Sequence, residues 1–432
     1  MTVTENRPEL ERPAAQNGTG THPKAGVMLL ALGVLFGLAA YLWADSDRTT
    51  AYTLGQTVSA RWEADTLTVV LVLSAVAAAI GVAFLVGIPK TLYKIGIGVA
   101  LLALVVGAIS WAMPPGAAIP VEFLLAGTLF QALPYIFGAL AGVVSERSGV
   151  INIGIEAQFL TGAFTAALIA SITDNAYFGM AAAAVSGMLS TLLLAWLATR
   201  FAVNQVVTGV ILNLLAVGLT GFLYERVMRQ DNSLNVSHGV PSMTGFWDSI
   251  GLGFLTDIPV LGPVLFRQNI FVYIAIAAVF VLWFLLFRTR WGLRTRSVGE
   301  HPAASDSVGI NVNRLRFWNV TCAGALSGFG GAFFTIANSV GFTKNMTAGL
   351  GFVALAVMIV GRWNPIGVLA GALVFGFFTA LATYLNSVDG NVIPTEFLSM
   401  LPYAVTLVVV AGLIGKAVAP KADGTPYQPG DK

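Results

Sequence analysis

The stretch Ser145 to Gln158, SERSGVINIGIEAQ, sets Glu146, Arg147, Asn152, Glu156 and Gln158 into otherwise almost unbroken apolar sequence. Such groups cost several kcal/mol in hydrocarbon unless a partner or water meets them, so they mark a place where the chain does more than cross lipid. Asn152 and Glu156 are four apart, the spacing of one helix face, and Phe159 continues the stripe. A carboxylate, an amide and an aromatic ring on one stripe suit a passage for a hydroxylated, ring-bearing solute. The same carboxylate could instead hydrogen-bond a neighbouring helix and only fix the bundle. With the membrane edge near Ser148, Glu156 lies ~12 Å inward along a helix, approaching the middle of a ~30 Å core. Asn213 lies ~13 Å deeper than Asn204 on the next polar-marked helix, which makes it a lining candidate, while Asn204 reads as a helix cap.

Other chemistry finds no partners. No catalytic residue and no metal ligand is expected, because there is no pair of acids, no histidine cluster and no nucleophile set beside a base. His22, His238 and His301 all lie outside the apolar segments. Cys322 is the single cysteine and lies within an apolar segment, where it reads as a small core residue and forms no intrachain disulfide. A phosphate-binding loop G-x-x-x-x-G-K-[ST] is absent; Gly412, Gly415 and Lys416 come nearest, with the wrong spacing and no following Ser or Thr. Leu326 to Gly330, LSGFG, lies in an apolar run and reads as close helix packing.

The elements that must hold these residues follow from composition. Hydrophobic residues make up 56% and charged residues 10% of the 432, so the chain is all-α, a polytopic transmembrane helical bundle. About 12 spans are expected, about 9 in a core and 3 before it: Ala25 to Trp43, Leu67 to Val86, Tyr93 to Met113, Val121 to Val144, Gly149 to Ile172, Tyr177 to Ala198, Val206 to Tyr224, Asn269 to Phe287, Phe317 to Ala337, Met346 to Val360, Pro365 to Tyr384 and Phe397 to Leu413. The run Phe352 to Val360 is short enough to be re-entrant but is kept as a tilted or broken span. With the amino terminus in the cytoplasm, only Arg48, Arg61, Arg226, Arg229, Arg267 and Lys344 of the 23 Lys and Arg fall outside, as the positive-inside rule asks. The organisation is then a disordered cytoplasmic tail over 1–25, a three-span extension over 26–113, a core over 121–416 and a cytoplasmic tail over 417–432.

The largest loop on the cytoplasmic side is Arg288 to Arg316, RTRWGLRTRSVGEHPAASDSVGINVNRLR. Pro302 suits a first helical turn, Ala303 and Ala304 favour helix, and Gly309 is a natural stop. A short helix with Glu300 and Asp306, flanked by six arginines, is suited to dock on another protein; an ordinary positive-inside loop holding its helices at the headgroups is the alternative. The pattern Arg290-x-Gly292-x-x-x-Arg296-x-Val298-Gly299-Glu300-x-Pro302-x-Ala304, followed by Gly309-Ile310 and Gly324-x-x-x-Gly328, resembles the coupling loop of permeases of ATP-binding-cassette importers, in the branch for simple sugars and nucleosides. The SERSGVINIGIE stretch, Asn204-Gln205-Val206-Val207-Thr208-Gly209 with Leu212-Asn213, and Gly351-Phe352 through Gly361-Arg362-x-Asn364-Pro365 resemble further hallmarks in the same order. The resemblance covers about Val121 to Lys416; Ala157 stands where the family usually has Gly.

The resemblance implies a permease subunit in a bacterial cell membrane, multi-pass, with both termini cytoplasmic. It implies a nucleoside as cargo, with a simple sugar as the alternative, and a substrate pathway at Asn152, Glu156, Phe159 and Asn213. Arg294, Arg296, Gly299, Glu300, Pro302, Ala304 and Gly309 are the implied contacts to an ATPase. No cofactor is expected on this chain itself; ATP and Mg belong on a partner ATPase of tandem-domain type. The other implied partners are a second permease subunit or a second copy of this chain, an extracellular substrate-binding lipoprotein and the lipid bilayer, with no nucleic acid. An ion-coupled secondary transporter is the competing class, and against it stands Glu156 as the one acid deep in a span. A membrane enzyme lacks the residues for it.

Overall fold

Long apolar runs can satisfy their backbone inside lipid only by winding into helices, and these do. The computed structural model describes residues 19–43, 48–55, 61–114, 117–236, 239–339, 341–388, 394–408 and 417–428. In chain order the helices are α1 (Pro23–Trp43), α2 (Thr66–Val86), α3 (Lys90–Ala112), α4 (Val121–Gln131), α5 (Leu133–Glu146), α6 (Ile155–Thr173), α7 (Ala176–Arg200), α8 (Gln205–Leu223), α9 (Thr244–Ser249), α10 (Ile270–Arg288), α11 (Arg290–Glu300), α12 (Pro302–Ser307), α13 (Val312–Ala332), α14 (Leu350–Val360), α15 (Pro365–Ser387) and α16 (Thr395–Val408). Among the described residues, 10 helical segments are long and apolar enough to span, α4 and α5 counting as one. The two remaining expected spans differ. Met346 to Val360 is helical only from Leu350, and Phe397 to Leu413 is helical to Val408 with its continuation outside the described residues.

The chain divides into two compact units. The first holds α1, α2 and α3 with short strands β1 (Thr19–Gly20), β2 (Thr49–Thr53), β3 (Arg61–Asp65), β4 (Ile88–Pro89) and β5 (Ala118–Pro120). β2 pairs antiparallel with β3 and parallel with β5, while β1 pairs with β4. Asp65 caps α2 by accepting from the Thr68 amide at 2.7 Å. Part of the tail expected to be disordered is therefore ordered: α1 starts at Pro23, and His22 stacks on Tyr93 with ring centroids 3.8 Å apart. Residues 1–18 of that tail lie outside the described residues.

The second unit carries α4 to α16 around one core that includes Tyr135, Phe137, Phe159, Phe271, Phe333 and Phe375. Its tightest seam joins α13 to α7. A side chain added at Gly324 or Gly328 would run into the carbonyl oxygen of Gly187 or Ala183 on the opposite helix, so the LSGFG run is a small-residue packing face. Cys322 is not in the core; it lies on the exposed side of α13, one residue out of phase with the buried Thr321 and Ala323.

After α13 the chain crosses the bundle again and is not re-entrant. Phe342 pairs with Asn235 and Lys344 with Glu225, both past the far end of α8, while Trp363 beyond α14 receives Arg147 at the opposite end. Residues 341–360 therefore run from one end of the bundle to the other, with α14 forming only the second half of the crossing. A valine at position 328 cannot be absorbed by backbone on both sides. Gly328→Val is expected to lower stability by about 1–3 kcal/mol, read as a lower Tm of the purified chain, whereas the same change at Gly218, which has open space around it, should be nearly silent.

Candidate functional site

The Ser145 to Gln158 stretch folds as two helix ends joined by an unwound crossing with turns at 147–149 and 153–154. Gly149 follows α5 in the left-handed region, with φ +87°, where a side chain would also strike the Arg316 guanidinium. Val150, Ile151 and Ile153 are β-branched and lie between Gly149 and Gly154, so the segment has poor helix propensity and stays unwound. The helix begins only at Ile155. Asn152 and Glu156 therefore do not share a helix face, as the spacing had predicted: Asn152 lies in the unwound stretch and Glu156 in the first turn of α6.

Glu156 faces the start of α14. Its Oε1 accepts from the Thr347 hydroxyl at 2.5 Å and the Gly349 amide at 2.8 Å, and its Oε2 accepts from the Gly351 amide at 2.7 Å. The first amides of a helix have no partner within it, and they carry the positive end of its dipole. A buried carboxylate on those amides satisfies both. Gly351 permits the approach, since a Cβ there would meet the Glu156 backbone.

The amides around the break are equally committed. Asn213 on α8 accepts from the Ala157 amide at 2.9 Å and donates to the Ile153 carbonyl at 3.0 Å, stapling the unwound stretch to the new helix. Gln158 donates to Asn152 at 2.9 Å and its carbonyl oxygen accepts from Ser327 of α13. Gln205, at the start of α8, accepts from the Ile151 amide at 2.8 Å, and Asn204 caps α8 by accepting from Val206 and Val207. Phe159 is fully buried beside Phe334, with centroids 5.8 Å apart. Asn152, Glu156, Phe159 and Asn213 are thus brought together, all buried, with their side-chain polar groups engaged by protein.

An open space lies beside them. A groove of about 380 Å³ between α6, α7 and α8 is lined mostly by apolar side chains, among them Phe164, Leu189, Leu193, Leu212, Leu215 and Leu219, with Thr161, Thr165, Ser186, Ser190 and Thr220 set among them. Each hydroxyl donates to a carbonyl of its own helix, Thr165 to Thr161 at 2.7 Å and Ser190 to Gly187 at 2.9 Å among them. Their oxygens remain as acceptors.

The other end of the break is a second cluster, of which Glu146 and Arg147 stood out in the sequence. Glu146 accepts from the indole of Trp363 at 2.6 Å, and Arg147 donates to the Trp363 carbonyl at 3.0 Å, so α5 is tied to the end of α14. Arg316, 2% exposed, donates to the Ser148 carbonyl at 3.0 Å and to the Thr425 carbonyl at 2.8 Å. The segment 417–428 is folded onto this corner, which sets the Asp423 carboxyl beside that of Glu146.

The loop residues divide between inside and outside. α12 starts with Pro302 in its first turn, and Gly309, at φ +84°, ends it. Gly299 is buried, where a side chain would meet the Arg147 carbonyl. The Arg296 guanidinium lies over the Phe287 ring, 5.0 Å from its centroid, and Glu300 is half-buried and accepts from the Lys421 amide at 3.4 Å. Arg294 and Ala304 are exposed. The outward surface is therefore Arg294 and the Ala303–Gly309 face, and Arg296, Gly299 and Glu300 build the support behind it.

Comparison with known proteins identifies the family. Residues 124–410 match the family described as branched-chain amino acid transport system / permease component. The chain is 38% identical over 315 residues to the nucleoside ABC transporter permease protein NupC of Lactococcus lactis subsp. cremoris, covering 71% of this chain and 96% of that one. It is 39% identical over 329 residues to the guanosine ABC transporter permease protein NupQ of Bacillus subtilis, covering 72% and 98%. A putative glucose ABC transporter permease protein of Haloferax volcanii is 31% identical over 305 residues, covering 67% and 90%. No solved structure matches the chain.

Glu156→Ala strands two helix-end amides and the Thr347 hydroxyl. With each unsatisfied buried group costing about 1–3 kcal/mol, the variant is expected to lose most of its folded yield. Glu156→Gln keeps one acceptor oxygen but turns its amide toward a donor, and should fall between the two in Tm. Burial pushes the Asp423 carboxyl up to about 6 from 3.8, against the pull of its bond to Glu146 and the charge of Arg316. The raised value favours the protonated acid in the docked state, so docking of 417–428 is firmest in acid and weakens as pH rises through about 6. Hydrogen exchange at the Ala422 amide, corrected for its intrinsic rate, should accelerate across that range, and Asp423→Asn should flatten the change.

Proposed function

The chain belongs to the permease components of the branched-chain amino acid transport type, and on that premise we propose that it is the membrane subunit of an ATP-binding-cassette importer for a nucleoside. The reading rests on one observation above the others: the match to two permeases named for nucleoside and guanosine runs through at least 96% of their length. A simple sugar is the alternative cargo, favoured by the glucose-named relative at 31% identity.

The groove between α6, α7 and α8 is the passage. At about 380 Å³ it falls within the ~300–1,000 Å³ of small-molecule sites. Hydroxyl oxygens left as acceptors suit the O–H and N–H donors of a ribose and a base, and Phe164 offers a ring face. Asn152, Glu156, Phe159 and Asn213 serve the pathway from behind its wall: they fix where α6 starts, and so where Ala157, Thr161 and Thr165 stand along the groove. Arg294, Ala304 and Gly309 meet the ATPase, and Arg296, Gly299, Glu300 and Pro302 hold that face in place. ATP and Mg act on the partner. A second permease, homologous or identical, completes the passage, and a binding lipoprotein delivers solute from outside. The ends of the chain and the α11–α12 loop lie in the cytoplasm of a bacterial cell.

Glu300 lies close enough to Arg147 to feel its charge, so substituting it would disturb the corner as well as the docking face. Ala304 is the cleaner probe. Ala304→Arg should leave the chain folded in the membrane while preventing a tandem-domain ATPase from co-purifying and abolishing substrate-stimulated ATP hydrolysis in proteoliposomes. Uptake by this chain alone, driven by an ion gradient with no ATPase present, would overturn the reading.

A further inference from the structure

Segment 417–428 makes more directed contacts than a trailing tail needs. It starts from Ala417, packed on the main core, and turns at 421–424. The Ala422 amide donates to the Gly299 carbonyl at 2.9 Å and the Lys421 amide to Glu300 at 3.4 Å, so it is fastened to the end of α11. The Tyr427 hydroxyl donates to Asp306 of α12 at 2.8 Å, and the Tyr427 ring is buried with Val298 and Val312. On its other side Thr425 accepts from Arg316 at the start of α13, Asp423 meets Glu146 at the end of α5, and Gly424 lies on Ile151 of the unwound stretch. The segment thus touches both loop helices, the start of α13, the end of α5 and the unwound stretch.

We propose that segment 417–428 is a coupling strap, with Tyr427 and Asp423 as positioning residues that carry displacement of α11 and α12 to the Ser145–Gly154 corner during ATP-driven transport. The inference rests on the docking role given to α12 above. Without the strap, α12 is a helix of 6 residues that meets the bundle chiefly through α11 and the start of α13. A push on α12 would then reach α5 only by way of α11, where Gly299 packs on the Arg147 carbonyl. With the strap, Asp306 is linked through Tyr427, the turn at 421–424 and Asp423 to Glu146, and from there through Trp363 to α14.

The test compares Tyr427→Phe, which keeps the ring in its pocket and deletes the bond to Asp306, and Tyr427→Ala with the unaltered chain in the full reconstituted assembly. The readout is radiolabelled guanosine imported per ATP hydrolysed. A charge-assisted bond is worth roughly tenfold or more in an equilibrium, and Tyr427→Phe is expected to lower the ratio by about tenfold while the ATPase still binds and hydrolyses. Strap release is measured apart from any ATPase: in a Cys322→Ser background, maleimide labelling of Ala422→Cys in the chain alone should quicken by a similar factor when Tyr427→Phe is added. If labelling quickens but the import ratio holds, the segment is only a fastening and the proposal fails, with the docking role intact. A fall in assembled protein at an unchanged ratio overturns it in the same way. If the unaltered chain neither binds nor stimulates an ATPase, the transporter reading falls first.

Discussion

Everything at the centre of the second unit depends on a carboxylate meeting a helix end away from water. Glu156 takes the first amides of α14 together with the Thr347 hydroxyl, and this allows a helix to begin half-way along the bundle. In hydrocarbon an uncapped helix start would leave several donors without partners, each at a cost comparable to a whole hydrogen bond. Gly351 exists to let the carboxylate in, and Asn213 does for α6 what Glu156 does for α14, closing the gap between an unwound stretch of backbone and a new helix. Asn152, Glu156, Gln158 and Asn213 are bonded to protein at the break, while the buried Gln205 Nε2 has no partner among the described residues. These polar residues are spent on backbone and on one another, which moves the search for solute contacts to the adjoining groove.

α14 is held at both ends by acids from one short stretch of sequence. Glu156 takes its beginning, and Glu146 takes the indole of Trp363 just beyond its end. At 11 residues the helix is roughly 16 Å long, about half the thickness of a membrane core. Such a piece is too short to anchor itself in lipid and moves with whatever grips it. The lower grip is shared with Arg147, Arg316 and the segment 417–428, so the part of the protein that faces a partner and the part that borders the groove meet at one corner.

Much of this was legible in the sequence where the cause is local. Apolar runs gave the spans, Pro302 and Gly309 bracketed α12, and Asn204 capped α8 as its position suggested. What escaped depends on partners distant along the chain. Glu156 and Thr347 are 191 residues apart, and Gln158 and Ser327 are 169 apart; no spacing rule reaches that far. The helix was read six residues too early because Val150, Ile151 and Ile153 look as apolar as any span, and only the paired glycines hinted that they run unwound. Segment 417–428 reads as a tail since its composition is small, polar and proline-bearing, and its fastening relies on backbone groups, Asp423 and Tyr427, whose partners are distant along the chain. Cys322 was placed in the core by hydrophobicity alone, which says that a residue avoids water but not whether it faces protein or lipid.

The unwound crossing from Gly149 to Gly154 looks like a connecting loop, the kind of segment in which insertions and deletions accumulate. It is instead a ruler. Glu146 and Glu156 must arrive at opposite ends of the same short helix, and the distance between those ends is fixed by the hydrogen-bonded rise of α14. Adding or removing one residue would displace an acid by up to ~3.3 Å of chain reach, farther than a hydrogen bond can stretch. Sequence drift along this crossing is confined to substitution: its chemistry can change while its length cannot.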